Sequence, residues 1–318
     1  MRDVEAPGRN PLARSALVRW HDAAGVRTGV RRLFRDDSQA GKVFFPAQLV
    51  PYLSHEAVRG LPPERLAELT VRHLYQFLLS TTHLETRIVN RAAELIATNQ
   101  VGLDLPTSAR LDAFMVYCDE GYHALYSLDL ADQIAAATGI PIPDWDYEGL
   151  IDGLADSGRT LLPGEPRLAQ LLQVVVFETL ITAVLNEVPS DHSVVTTVRE
   201  VMRDHARDEG RHHRFFVGFF HELWTQLSPS LRPAVASLMP VLIRGCLDWD
   251  ANPVRSSLRL AGLDSHAADE VVRDCYGDPD LGRIQDICRA TVRMCQSAGV
   301  LDVPGAEEEF AARGLFSN

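Results

Sequence analysis

Alternation of apolar and polar residues is nowhere sustained in this sequence, so nothing in it calls for a β-sheet. No uninterrupted apolar stretch approaches the length that crosses a bilayer. The first residues, Met1 to Leu17, are broken by Arg2, Asp3, Glu5, Pro7 and Arg9, so neither membrane spanning nor secretion is expected. The five cysteines (Cys118, Cys246, Cys275, Cys288 and Cys295) form no C-x-x-C pair and no regular framework, which excludes a disulfide scaffold and fits a reducing cytoplasm. Basic charge is in deficit as well. Against 43 acidic side chains stand 31 basic ones, a net charge of −12, and that field repels phosphate backbones and anionic lipid, leaving nucleic acid and membrane as poor partners. What is present is an ordinary globular mixture, 46% apolar and 23% charged, enough for a large core within one domain over 1–318.

Residues 1–60 are rich in arginine, glycine and proline, with scattered aromatics (Trp20, Phe34, Phe44, Phe45), and read as an irregular arm lying over the core. From Pro62, apolar residues at Leu66, Leu74, Leu78, Leu84 and Ile88 predict one long helix ending near Asn99, before Gly102. A second helix is expected from Ser108 to Ala137, between Pro106 and the breaker cluster Gly139 to Pro143. The third, Arg167 to Glu187, lies between Pro166 and Pro189. Its run Leu171, Leu172, Val174, Val175, Val176, Phe177 must be buried on most sides. Asp191 or Ser193 can cap a fourth helix to about Leu227, after which Pro229 and Pro233 precede further helices over 230–318. The expected fold is all-α, with a four-helix core over 62–227.

Two pentapeptides carry the chemistry: Asp119-Glu120-Gly121-Tyr122-His123 on the second helix and Asp208-Glu209-Gly210-Arg211-His212 on the fourth. Helical residues three apart share a face, so each pair Glu-x-x-His can offer a carboxylate and an imidazole to one point. A single such pair usually marks a solvated face, and finding it twice, each time after Asp, changes those odds; two such helices plus a glutamate from each of two others are the signature of ferritin-like bundles that hold two metal ions. That scheme demands one lone glutamate on each remaining helix. Glu178 lies within Val174 to Ile181, where an uncompensated carboxylate costs several kcal/mol, and it is preferred to Glu187 at the solvated helix end. On the first helix Glu85 shares its face with Leu78, Thr81 and Ile88 and is preferred to Glu94, which lies nearly opposite; its bland alternative is a surface pair with Arg87 or Arg91. His205 precedes Glu209 by four and His212 by seven, so the three project within about 60° of one another. His213 points about 100° away from His212, and His83, His192 and His221 have no matched partner. Four glutamates balance two divalent ions and leave the imidazoles as neutral donors. Asp119 and Asp208 can reach Nδ1 of His212 and His123 on the opposing helix, and Arg211 can either hold Asp119 or pair at the surface.

With these residues the sequence resembles the p-aminobenzoate N-oxygenases, ferritin-like di-iron enzymes that turn amines into nitro compounds in natural-product pathways. The resemblance covers most of the chain. It rests on Glu85, D-E-G-Y-H ending at His123, Glu178, and H-A-R-D-E-G-R-H from His205 to His212, with F-F-P-A-Q-L-V-P-Y-L-S-H from Phe44 to His55 as a lead-in. It implies that Glu120 and Glu209 bridge two irons, with Glu85 and His123 completing one and Glu178, His205 and His212 the other. It further implies reduction by an external electron donor, capture of O2 as a peroxo-diferric species, and stepwise oxygen transfer to an amine, such as an arylamine, through hydroxylamine and nitroso stages.

Other ferritin-like di-iron oxidases remain as rivals: a carbon hydroxylase, a desaturase, or a ribonucleotide reductase small subunit, though the last would carry a tyrosine where Ser127 stands. A non-catalytic iron store would be far shorter. Leu78, Thr81, Thr82, Val116, Tyr117, Val175 and Thr182, one turn from the ligands, are expected to line a mid-sized apolar substrate pocket, with core packing as the alternative. The sequence leaves open whether the amine is free or carrier-bound, and whether the chain pairs as a homodimer.

Overall fold

The computed structural model describes residues 12, 15–35, 41–180, 185, 187–247, 250–277 and 281–316. The arm contains two short helices, α1 (Trp20–Ala23) and α2 (Gly25–Thr28), and, after two 3₁₀ turns, α3 (Glu56–Arg59). The bundle begins with α4 (Pro63–Leu84), started by Pro62 and Pro63, where a missing N–H costs nothing. It continues through a π-helical segment, Glu85–Val89, into α5 (Asn90–Ala97). Helix α6 (Thr107–Thr138) follows Pro106 and ends at Gly139, whose φ of 70° is the left-handed geometry that favours glycine at a helix stop.

Next come α7 (Glu148–Leu161), α8 (Pro166–Leu180), α9 (Thr196–Gln226), α10 (Arg232–Leu247), α11 (Asn252–Leu260), α12 (Ser265–Tyr276), α13 (Leu281–Ala298) and α14 (Ala306–Ala312). The first bundle helix packs on α6, α6 on α9, α9 on α8, and α8 back on the π segment and α5, which closes a four-helix ring. This is an all-α, ferritin-like helical fold. Among the described residues the only bridge of β type joins Val43 to Val194, and no helix is long and apolar enough to cross a membrane.

The structure departs from expectation at several points. The first long helix is interrupted: the Asn90 N–H donates to the Glu85 carbonyl, five residues back, so the turn is wider than an α turn. Neither Asp191 nor Ser193 caps α9, which starts at Thr196 after Val195; Asp191 instead accepts from the N–H and hydroxyl of Ser193 in the preceding turn. Helix α7 was not anticipated. Residues 181–184 and 186 of the third expected helix lie outside the described residues, Thr182 among them.

Every residue from Leu171 to Leu180 is buried, as its apolar run requires, and each large apolar side chain so buried contributes about 1.5–3 kcal/mol. The core forms two apolar clusters. One contains Ile88, Val116, Val175 and Phe215, the other Leu78, Leu130, Leu185 and Met202. On α4 and its continuation, on α6 and on α9, the chain passes from one cluster to the other through a short polar stretch. Those stretches meet at one level of the bundle.

Candidate metal centre

That level holds Glu85, Glu120, His123, Glu178, His205, Glu209 and His212, none more than 1% exposed. The doubled Glu-x-x-His spacing brings Glu120 and His123 inward from α6, and Glu209 and His212 inward from α9. Glu85 opens the π segment, and Glu178 comes from the buried stretch of α8. The alternatives fall away, since Glu94 and Glu187 are exposed and Arg87 pairs with Glu148.

The potential ligand atoms form two groups that share Glu209. In one, atoms of Glu85, His123, His205 and Glu209 lie within 4.8 Å of one another; in the other, those of Glu120, Glu178, Glu209 and His212 do. Nε2 of His205 is 2.9 Å from Glu85 and 3.1 Å from Glu209, and its ring lies 4.2 Å from that of His123. This differs from the distribution the resemblance implied: His205 stands with Glu85 and His123, not with Glu178 and His212. Seven residues before His212, His205 lies about 10 Å back along α9, and its ring meets that of His123. Glu120 faces both groups, at 2.7 Å from His212 Nδ1 and 3.5 Å from His123 Nδ1.

Asp119 and Asp208 reach the opposing histidines, though through the other ring nitrogen. Nε2 of His212 lies 3.1 Å from Asp119 Oδ2, and Nε2 of His123 lies 3.2 Å from Asp208 Oδ2. A carboxylate only accepts, so each Nε2 donates to its aspartate and each Nδ1 faces the cluster, where a bound cation would take the place of a proton. Arg211 pairs with Asp208 one turn back on its own helix, not with Asp119. Asp119 is held from the arm instead, by the Trp20 indole N–H at 2.9 Å.

Burial opposes charge on every member of the layer, and the neighbours decide the outcome. Burial, helped by the Glu120 carboxylate and offset by His205, pushes Glu85 up to about 7. Burial and the carboxylates of Glu209 and Glu120 push Glu178 well above the carboxylate range. Despite burial, the facing imidazoles, His212 foremost, hold Glu209 well below it. Burial is likewise overcome at His123, which Glu120 and Glu209 push up to about 10, and at His212, which the same two glutamates raise. The layer is short of positive charge.

Its polar atoms are also short of partners. Both carboxylate oxygens of Glu85, Glu120 and Glu178, Oε2 of Glu209, and Nδ1 of His123 and His212 are buried without a hydrogen bond. Four carboxylates and three imidazoles fit two divalent iron ions in charge and donor type, and cations would satisfy every one of these atoms.

A cavity of about 340 Å³ opens beside the layer, bordered by Gly25, Val30, Tyr122, Tyr126, Val201 and Asp208 among others. The Tyr126 ring lies 5.4 Å from that of His123 and 5.8 Å from that of His205, and its hydroxyl is buried without a partner. Burial first, then Glu85 and Glu209, push that phenol well above its ordinary pKa, which keeps it protonated. None of the described side chains expected to line a pocket borders this cavity. Leu78, Thr81, Val116 and Val175 are packed in the core, and Thr82 turns its hydroxyl to the Leu78 carbonyl. Tyr117 is 43% exposed. Helical spacing finds neighbours inside the bundle, whereas this cavity lies between the helices and the arm, which no periodicity places.

A family model described as p-aminobenzoate N-oxygenase AurF matches residues 33–299, most of the chain. No curated protein matches it.

Proposed function

The chain belongs to the p-aminobenzoate N-oxygenase family, and on that footing we propose that it is an O2-dependent di-iron monooxygenase that N-oxygenates an amine, with an arylamine as the first candidate. The observation that carries this reading is the buried layer of four glutamates and three histidines, whose inward-facing atoms lack partners and whose charge calls for two divalent cations. Glu85, His123 and His205 would hold one ion, Glu178 and His212 the other, with Glu120 and Glu209 facing both. When bound, the irons supply the activation of O2.

The protein's own residues do the rest. Asp119 and Asp208 orient His212 and His123 and fix their tautomers. The apolar clusters on either side keep bulk water out of the layer. The cavity receives the amine, and Tyr126, which borders it with its ring beside those of His123 and His205, keeps its phenol proton available there. In the first turnover one oxygen atom of O2 enters the amine to give a hydroxylamine. The other leaves as water, taking two electrons and two protons from an external donor, and repetition leads towards nitroso and nitro products. Five cysteines, none of them in a disulfide, suit a cytoplasmic setting.

The test is reaction of the anaerobically iron-loaded, reduced protein with 18O2 and a panel of amines, with products identified by mass spectrometry. Labelled hydroxylamine, nitroso or nitro products are expected. Iron oxidation with no change in any amine, or oxygen found only on carbon, would remove this reading in favour of an iron store or a carbon hydroxylase.

A further inference from the structure

The arm does more than cover the bundle. It touches both aspartates that hold the histidines, and each contact serves a different group of ligands. The indole N–H of Trp20, on α1, donates to Asp119 Oδ1, while Oδ2 of the same carboxylate accepts from His212 Nε2. Five residues on, the backbone N–H of Gly25 donates to Asp208, 3.1 Å from Oδ2, the oxygen that accepts from His123 Nε2. Two relays therefore run from the arm to the layer, Trp20 to Asp119 to His212 and Gly25 to Asp208 to His123.

Residue type matters at both ends. Trp20 is buried, and in the apolar surroundings of Leu17 and Ala24 its N–H has Asp119 as its acceptor. At residue 25 a Cβ would lie 2.7 Å from Asp208 Oδ2, closer than any real contact, so only glycine brings its N–H this near the carboxylate. The arm is pinned independently on either side of these contacts. Ser15 and the Ala16 N–H bind Asp112, while Arg31 and Arg32 pair with Asp129 and Asp204. Losing one relay hydrogen bond therefore leaves the segment in place. Both residues also lie ahead of the span that the family model matches.

We propose that residues 20–25 are part of the metal centre, with Trp20 and Gly25 as positioning residues that set the orientation of one imidazole in each group. The proposal rests on the reading of the layer as a metal site. An aspartate held from behind keeps its lone pairs aimed at the imidazole N–H, which fixes the ring; the aspartates themselves, as direct partners of the ligands, are typically worth ten- to a hundred-fold in affinity, and losing what holds one in place is expected to cost the low end of that range.

Cobalt(II) is a suitable probe, since its optical bands report coordination as well as occupancy. The full chain, Trp20→Phe, Gly25→Ala and the control Ser15→Ala are titrated with Co2+. Trp20→Phe is expected to weaken one of two binding steps about ten-fold and shift its bands, Gly25→Ala to do the same to the other step, and Ser15→Ala to change neither. Equal weakening of both steps in either relay variant, or in Ser15→Ala, would mean general loosening and overturn the proposal.

A measurement on the unaltered protein covers the case in which a variant does not fold. Coupling is reciprocal, so if the relays strengthen metal binding about ten-fold, loading with diamagnetic Zn2+ must slow hydrogen exchange at the Trp20 indole and the Gly25 amide by the same factor. No slowing there, in a protein that binds two ions, overturns the proposal and leaves the metal site standing. A wild-type chain that binds no Co2+ removes both.

Discussion

His73 and His123 are buried alike, at 3% and 0% exposure, yet their proton affinities move in opposite directions. His73, on α4, lies against the ring of Phe45 and the hydroxyl of Tyr52, and burial alone pushes it down to about 3. At His123 the same burial is overridden by Glu120 and Glu209, and its affinity rises to about 10. Burial thus does not decide whether an interior imidazole carries charge; the groups facing it do. One region of this bundle is built to stay neutral, and the other is built around charge it does not itself contain.

The comparison is broken most severely by removing the residue shared between the two ligand groups. Glu209 Oε1 stands 3.3 Å from His123 Nδ1, 3.1 Å from His205 Nε2 and 3.5 Å from His212 Nδ1. Glu209→Ala should therefore fall from about two bound irons per chain to nearly none after anaerobic loading and desalting. Glu178→Ala, which touches one group only, should keep about one. Metal analysis decides between them, and full occupancy in Glu209→Ala would sink the sharing.

A smaller effect is expected at His205, which the structure places with Glu85 and His123. Its removal leaves that group with two unshared ligands, so His205→Ala should weaken one ion by about a hundred-fold or more, beyond what losing an outer partner costs, and leave the second nearly unchanged. His213→Ala, one residue from His212 but half-buried and bonded to the Glu178 backbone, not to any ligand atom of the layer, should weaken neither. Stepwise metal titration checks both variants, and equal loss at both ions in His205→Ala would contradict the grouping.

Much of this layer can be read from spacing because its chemistry is local. Glu120 with His123 and Glu209 with His212 sit one helical turn apart, and a carboxylate within the apolar run around Glu178 advertises a partner by its cost. What spacing does not carry is long-range or rotameric. Trp20 and Asp119 are separated by 99 positions, so nothing in sequence pattern could join them. Which imidazole nitrogen faces the cluster depends on side-chain torsions, which is why the Nδ1 expected to meet Asp119 and Asp208 turned out to be Nε2. The π turn at Glu85 has no compositional mark either, since a hydrogen bond to the fifth residue rather than the fourth asks for no particular side chain. Arg211, expected either to hold Asp119 or to pair at the surface, pairs with Asp208 on its own helix and so still stands behind one of the two aspartates.

Glu178 sharpens the comparison at intermediate strength. Its pKa in the fold lies above the unfolded value near 4.5, so any stability it provides is complete below that pH and is lost as pH rises. Glutamine imitates the protonated form. In the chelated protein at neutral pH, Glu178→Gln should be more stable than wild type by about 2–4 kcal/mol, with the gain vanishing below about pH 4.5. Once metal is added the order should reverse, because the variant has lost a ligand. Chemical denaturation with and without chelator measures this, and a chelated variant no more stable than wild type would show that the carboxylate is not strained.

The smallest effect belongs to His73, and its sign follows from the depressed pKa. Between about 3, its value in the fold, and 6.5, its ordinary value, the unfolded chain binds a proton that the folded one refuses. His73 therefore contributes stability that is fully present above pH 6.5 and is lost as the pH falls, by about 1.4 kcal/mol per pH unit. His73→Leu removes this proton while keeping an apolar side chain of similar bulk. It should cost about 1 kcal/mol at pH 7.5 through the lost contact with the Tyr52 hydroxyl, then recover against wild type by about 2 kcal/mol at pH 5. Metal loss and the other titrations are common to both proteins and cancel in the difference. Urea unfolding across this range gives the two curves, and if they stay parallel, His73 is not the neutral counterpart of the charged layer and the contrast between the two regions fails on that side.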